Sequence, residues 1–245
     1  VAIVGKETYK DGNYRFFPFA RPTRDRKHAG PTTQGFDEVL DFTSLTSLIT
    51  FLKGLGLDVP AVVKASHAGK GHRLEVNVNT EEDEDCNAWY SIEDDDITFA
   101  ACKRMHTAAD LDAVFHEFGH YTLAHLEPRF TETPDVVEAP WPPHGTFNRG
   151  EQDAIHEGFA DALAAFVNGN PVIGEDFTPK GLRNVDNKLK VLDTSGFAHD
   201  RGRIYSGFFW SMKNRLASAE ANLPATEDAT TAALLLLWEH ALHYQ

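Results

Sequence analysis

The stretch His116-Glu117-Phe118-Gly119-His120 constrains this chain more than any other part of its sequence. Two histidines four residues apart share a direction only if the residues around them, about 110 to 125, form a helix. On that helix Ala113, His116, Glu117, His120 and Ala124 lie on one face, while Leu111, Val114, Phe115, Phe118 and Leu123 cover much of the rest. A helix so covered is buried. Two imidazoles one turn apart inside a protein suit a shared metal ion, and Glu117 lies beside them, placed to act as a base on an activated water rather than as a ligand. Two core histidines with a surface glutamate would produce the same five letters, so a third ligand is the discriminating feature.

The segment 151–168 supplies one. Read as a helix, it brings Glu157, Ala160, Asp161 and Ala164 to one face, with Ile155, Phe159, Ala162, Leu163 and Phe166 toward the other. Two carboxylates on a buried face are costly unless their charges are matched. Glu157 is expected to complete the metal set with His116 and His120. Asp161, one turn on, is expected to accept the free ring N–H of His116 and fix its tautomer. His156 lies roughly 100° around the helix from Glu157 and reads as a packing or loop-contact residue rather than a rival ligand. Two histidines, one glutamate and an open position describe a catalytic zinc site, in which Glu117 takes a proton from the attacking water. Such chemistry hydrolyses amides and also needs a donor for the developing oxyanion.

Elsewhere the chain reads as strands first and helices second, an α+β pattern with a cleft between two lobes. Residues 1–125 form the strand-containing lobe ending in the metal helix, and 126–245 the mainly helical one. The first 36 or so residues, rich in Gly, Pro, Arg and aromatics, suggest a wrapping segment or edge strands. Leu45, Leu48, Ile49 and Leu52 have helical spacing, with Thr43 or Ser44 as cap and Gly54 or Gly56 as stop. "AVVKAS", "HRLEVNVN" and the two arms around Glu93–Asp96 read as strands. Thr107 is a cap candidate for the metal helix, and residues 131–150 form a proline-rich loop. Further helices are expected near 202–219 and 227–243, the last capped by Thr226.

Cys86 and Cys102 face each other in a hairpin centred on Asp94, which leaves a disulfide or two buried free thiols open. The acidic runs Glu81–Asp85 and Glu93–Asp96 are solvated loops or calcium ligands, so calcium is a second candidate ion beside zinc. A net charge of -14 argues against a nucleic-acid partner. No apolar run reaches membrane-spanning length. The chain opens on Val1 and reads as a segment whose export signal or pro-region has been removed, which together with a disulfide would suit a secreted protein.

The motif pair His116-Glu117-x-x-His120 and Glu157-x-x-x-Asp161 resembles the gluzincin metallopeptidases, most closely the thermolysin and fungalysin group. "NAWY", from Asn87, resembles the edge-strand segment that binds the substrate backbone in that group, which implies substrate-binding roles for Asn87 and Ala88. Arg183 in "GLRNVDN" matches an arginine that holds a substrate carbonyl and contacts the aspartate equivalent to Asp161. His199 in "AHDRGRIYSGFFW" matches the histidine that donates to the tetrahedral intermediate, in a loop leading into a helix. Tyr205 is a second donor candidate or a packing residue. The 36 residues between His120 and Glu157 (157 − 120 − 1) are nearer the fungalysin type, and thermolysin's calcium pattern is not recognisable.

The resemblance implies a secreted zinc endopeptidase that binds an extended peptide or protein substrate along an edge strand. Two other functions remain open at this stage. One is a catalytically silent peptide- or zinc-binding module; the other is a zinc amidase acting on a non-protein substrate.

Overall fold

The computed structural model describes residues 2–5, 31–67, 73–82, 86–101, 107–126, 149–178, 180–218 and 228–242. Most of the first 36 residues, the proline-rich stretch up to residue 148, Cys102 and Thr226 lie outside them. The described chain mixes helix and strand, an α+β arrangement.

A four-stranded sheet runs in the order β1 (Ala2–Gly5), β2 (Glu75–Glu82), β4 (Asp96–Ala101), β3 (Ala88–Ser91). β2 is parallel to both β1 and β4, while β3 is antiparallel to β4 and forms an edge. Alternation decides which face is buried. Val76 and Val78 of β2 pair with Ile97 and Phe99 of β4, and all four are fully buried.

Helices α1 (Pro31–Gly54) and α2 (Val59–Ser66) precede β2, and α3 (Leu111–Leu126) follows β4. Then come α4 (Arg149–Asn168), the two-residue strands β5 (Val172–Ile173) and β6 (Arg183–Asn184), α5 (Ala198–Ser218) and α6 (Ala229–Leu242). One buried cluster joins Leu45, Leu48 and Leu52 of α1 to the sheet, to Val114 and Phe118 of α3, to Phe159 and Phe166 of α4, and to Leu234 and Leu237 of α6.

Several local expectations are corrected. α1 starts at Pro31, not near Thr43; the Thr43 hydroxyl instead donates to the Val39 carbonyl at 2.7 Å, one turn back in the helix. "AVVKAS" is helical, not a strand. Asp58 accepts from the Ala61 N–H at 3.3 Å and Pro60 occupies the first turn, so a strong helix start outweighs the β-branched valines. Asp110, not Thr107, caps α3, its Oδ1 accepting from Asp112 and Ala113 N–H at 2.9 and 3.2 Å.

The β3–β4 hairpin pairs Ser91 with Asp96 and Ala88 with Phe99, so it is centred between Glu93 and Asp94 rather than on Asp94. Cys86 is disulfide-bonded and has a φ of 61°, which takes it out of regular strand geometry. The register shift is therefore compatible with a bonded cysteine just beyond the strand's end.

No single described helix is long and apolar enough to cross a membrane.

Candidate metal centre

α3 and α4 meet at a glycine. A Cβ on Gly119 would sit 2.6 Å from the Cα of Ala160, so only glycine allows this approach. The close packing brings the histidines of α3 to the carboxylates of α4. His116 Nε2 and His120 Nε2 are 3.1 Å apart. Glu157 Oε2 is 3.3 Å from His116 Nε2, and Glu157 Oε1 is 3.7 Å from His120 Nε2. The three side chains offer ligand atoms within 4.8 Å of one another. Tetrahedral zinc with bonds of about 2.0–2.1 Å holds neighbouring ligand atoms about 3.3 Å apart, so the set fits that ion.

Supporting contacts fix which nitrogens are available. Asp161 Oδ1 lies 2.9 Å from His116 Nδ1, close enough to hold a hydrogen on that nitrogen and leave Nε2 as the one to face a metal. Asp161 is fully buried and also receives Arg183 through two bonds of 2.8 Å, Nε to Oδ2 and Nη2 to Oδ1. The matching role for His120 falls to His156, whose Nδ1 lies 3.0 Å from His120 Nδ1. If His120 Nε2 faces the metal, its Nδ1–H donates and His156 Nδ1 accepts.

The charges point the same way. Burial opposes a charge on His116, yet Asp161 and Glu157 raise its pKa to about 10, so a proton on Nε2 answers the same negative potential and is what a metal would displace. Burial also opposes a charge on Glu157, but the histidines, His116 first, pull it below the usual carboxylate range. Asp161, likewise buried, is held at about 2 by Arg183 and His116. Burial and then repulsion from His116 push His120 well below its ordinary value, and burial takes His156 down to about 4. The cluster thus concentrates negative potential where a cation would sit. Glu157 Oε2, buried and lacking a hydrogen bond of good geometry, is the atom that such a cation would satisfy.

Glu117 is buried beside this set and is raised to about 7 chiefly by burial, within range of a general base near neutrality. Its carboxylate accepts a hydrogen bond from the Tyr90 backbone N–H, which ties it to the edge strand β3. Ala88 begins that strand, and Asn87 precedes it, exposed, its carbonyl accepting from Ala100 N–H at 3.2 Å. Their link to the cluster runs through Tyr90.

His199 lies in the first turn of α5, not in a loop before it. Its Nε2 is 3.2 Å from Glu157 Oε2, its ring stacks 6.5 Å from that of His116, and its side chain is 59% exposed. Burial of the remainder lowers its pKa. A second glycine contact puts it there: a Cβ on Gly202 would meet Glu157 Cβ at 2.8 Å, so α5 crosses α4 closely at Glu157. Tyr205 is directed elsewhere, its hydroxyl 2.9 Å from His240 Nδ1.

The structure therefore brings together His116, Glu117, His120, Glu157, Asp161, Arg183 and His199. His156, read from the sequence as a packing or loop-contact residue rather than a ligand, packs on His120 and stays outside the ligand set, and its orienting contact is what the sequence did not show. Its angle from Glu157 was visible in the sequence, but the angle turns it toward α3 rather than into a loop.

No protein-family model matches the chain, and a search of curated proteins returned no match.

Proposed function

We propose that the chain is a zinc-dependent endopeptidase of the gluzincin type, with a thermolysin- or fungalysin-like two-lobed architecture around the metal site. The convergence of His116 Nε2, His120 Nε2 and the Glu157 carboxylate beside a buried Glu117 carries this reading. His116, His120 and Glu157 would hold the ion, with Asp161 and His156 orienting the two imidazoles. Bound zinc supplies Lewis acidity toward a carbonyl and lowers the pKa of a water.

The chain's own groups do the rest. Glu117 takes the proton from the attacking water and passes it to the leaving amine; its pKa of about 7 suits both transfers. His199, at the exposed rim, donates to the oxyanion formed from the scissile carbonyl. Arg183 keeps Asp161 ionised and, as the family resemblance implies, reaches a substrate carbonyl. An extended peptide would align along edge strand β3 through Asn87 and Ala88. The disulfide at Cys86 supports an extracytoplasmic setting.

The test is hydrolysis of casein and of quenched peptides, with and without chelator, by the native chain and by Glu117→Gln. The expected result is zinc-dependent cleavage that Glu117→Gln abolishes while keeping its zinc. Cleavage that survives in Glu117→Gln at near-native rate would remove Glu117 as the base. Zinc binding with no cleavage of any peptide would favour a silent module or an amidase.

A further inference from the structure

We propose a second divalent-metal site at His67, Asp95 and His125, one that takes zinc or a similar imidazole-seeking ion and clamps α2 and the β3–β4 turn onto α3. None of its residues belongs to the set around Glu117, and it stands or falls independently of the peptidase reading.

Three elements converge here. His67 ends α2, Asp95 lies in the turn between β3 and β4, and His125 is in the last turn of α3. His67 Nε2 lies 3.2 Å from Asp95 Oδ2, and His125 Nε2 lies 3.0 Å from Asp95 Oδ1. Ligand atoms of all three fall within 4.8 Å of one another, as do those of His116, His120 and Glu157. The separations are close to the roughly 3.3 Å edge of a tetrahedral zinc site.

The surroundings have the features of a metal site's outer contacts. His67 Nδ1 is 2.9 Å from the Val63 carbonyl oxygen. A carbonyl only accepts, so Nδ1 carries a hydrogen there. A neutral His67 then aims its Nε2 lone pair at a carboxylate oxygen, which is repulsive unless a cation lies between them. The Tyr90 hydroxyl donates to Asp95 Oδ1 at 2.7 Å and orients the carboxylate, as hydrogen-bonded ligands usually are.

A metal ion or a proton on His67 each removes the repulsion. The second histidine favours the metal. Its ring centroid is only 5.0 Å from that of His67, and both Nε2 atoms face one carboxylate. One ion satisfies both nitrogens and both oxygens at once. Two imidazole nitrogens in the set select zinc-like ions over calcium or magnesium, which prefer all-oxygen sites. The His67 side chain is 31% exposed, so solvent can fill a fourth position. Binding is therefore expected to be weaker than at the buried first site.

The test is metal counting after zinc titration of the whole chain, with zinc chloride as the probe. The native chain should bind two equivalents. His67→Ala should bind one, and Asp95→Asn, which keeps the shape of the turn, provides the same readout should the alanine variant not fold. A His116→Ala/His120→Ala double variant should still bind one, so failure of the first site does not mask the second. A zinc-edge anomalous peak among His67, Asp95 and His125 should accompany binding, and calcium chloride should produce no such occupancy. A native stoichiometry of one that neither His67→Ala nor Asp95→Asn changes would overturn the proposal. So would a nitrogen NMR signature of doubly protonated His67 at pH 8 in saturating zinc.

Discussion

His120 and His156 meet Nδ1 to Nδ1 at 3.0 Å, across the interface between α3 and α4. Only one of these nitrogens can carry the hydrogen. If His120 presents Nε2 to the metal, His156 must be the acceptor, and its depressed pKa of about 4 keeps it neutral for that task. His156→Ala should therefore weaken zinc binding by roughly ten- to a hundred-fold, the scale for losing an orienting partner. A competitive chelator titration measures this, and an affinity equal to native would dismiss the role.

His199 is bound to the site from outside. Its side chain touches Glu157 and stacks on His116 but remains more than half exposed, so it is available to a substrate rather than locked as a ligand. His199→Ala should retain its zinc and lower kcat on the order of a hundred-fold, with a much smaller change in KM. Steady-state kinetics alongside metal analysis checks both halves. A rise in KM with kcat unchanged would assign His199 to ground-state binding instead.

Gly119 is a packing requirement of the centre. An added methyl would press on the Cα and the Cβ of Ala160, neither of which can swing aside. Gly119→Ala should destabilise the fold by about 1–3 kcal/mol and weaken zinc binding, because it separates the two helices that carry the ligands. At Gly54, where an added Cβ meets nothing within 4 Å, the same substitution should cost nothing comparable. Urea denaturation of the two variants makes the comparison.

Asp110 caps α3 while buried beside Asp112, and burial followed by that repulsion raises its pKa from 3.8 to about 6. The folded state therefore binds the proton more tightly than the unfolded one. Stability from this group is fully present below about pH 4 and is lost as pH rises toward 6. The loss above that window is about 3 kcal/mol. Asp110→Asn keeps the accepting oxygen for the Asp112 and Ala113 N–H groups and removes the charge. In chelated buffer the variant should melt higher than native at pH 7.5 and close to native at pH 4. An equal difference at both pH values would mean that the charge of Asp110 is not the cause.

What could be read from letters alone was what one helix or one strand decides by itself. The four-residue spacing of His116 and His120, and of Glu157 and Asp161, puts each pair on one face whatever surrounds it. Leu45, Leu48 and Leu52 likewise mark their own buried stripe, and all three are in the core. The remainder needed neighbours. α2 became a helix because Asp58 and Pro60 start one there, against the preference of its valines. The role of His156 arises because the direction leading away from Glu157 leads toward His120, a fact about where α3 lies relative to α4. That placement rests on close approach at Gly119 and Gly202, where a missing Cβ admits another chain segment. A periodicity belongs to one element and survives in the sequence; a crossing between elements depends on atoms far apart in the chain, and only the packed structure brings them together.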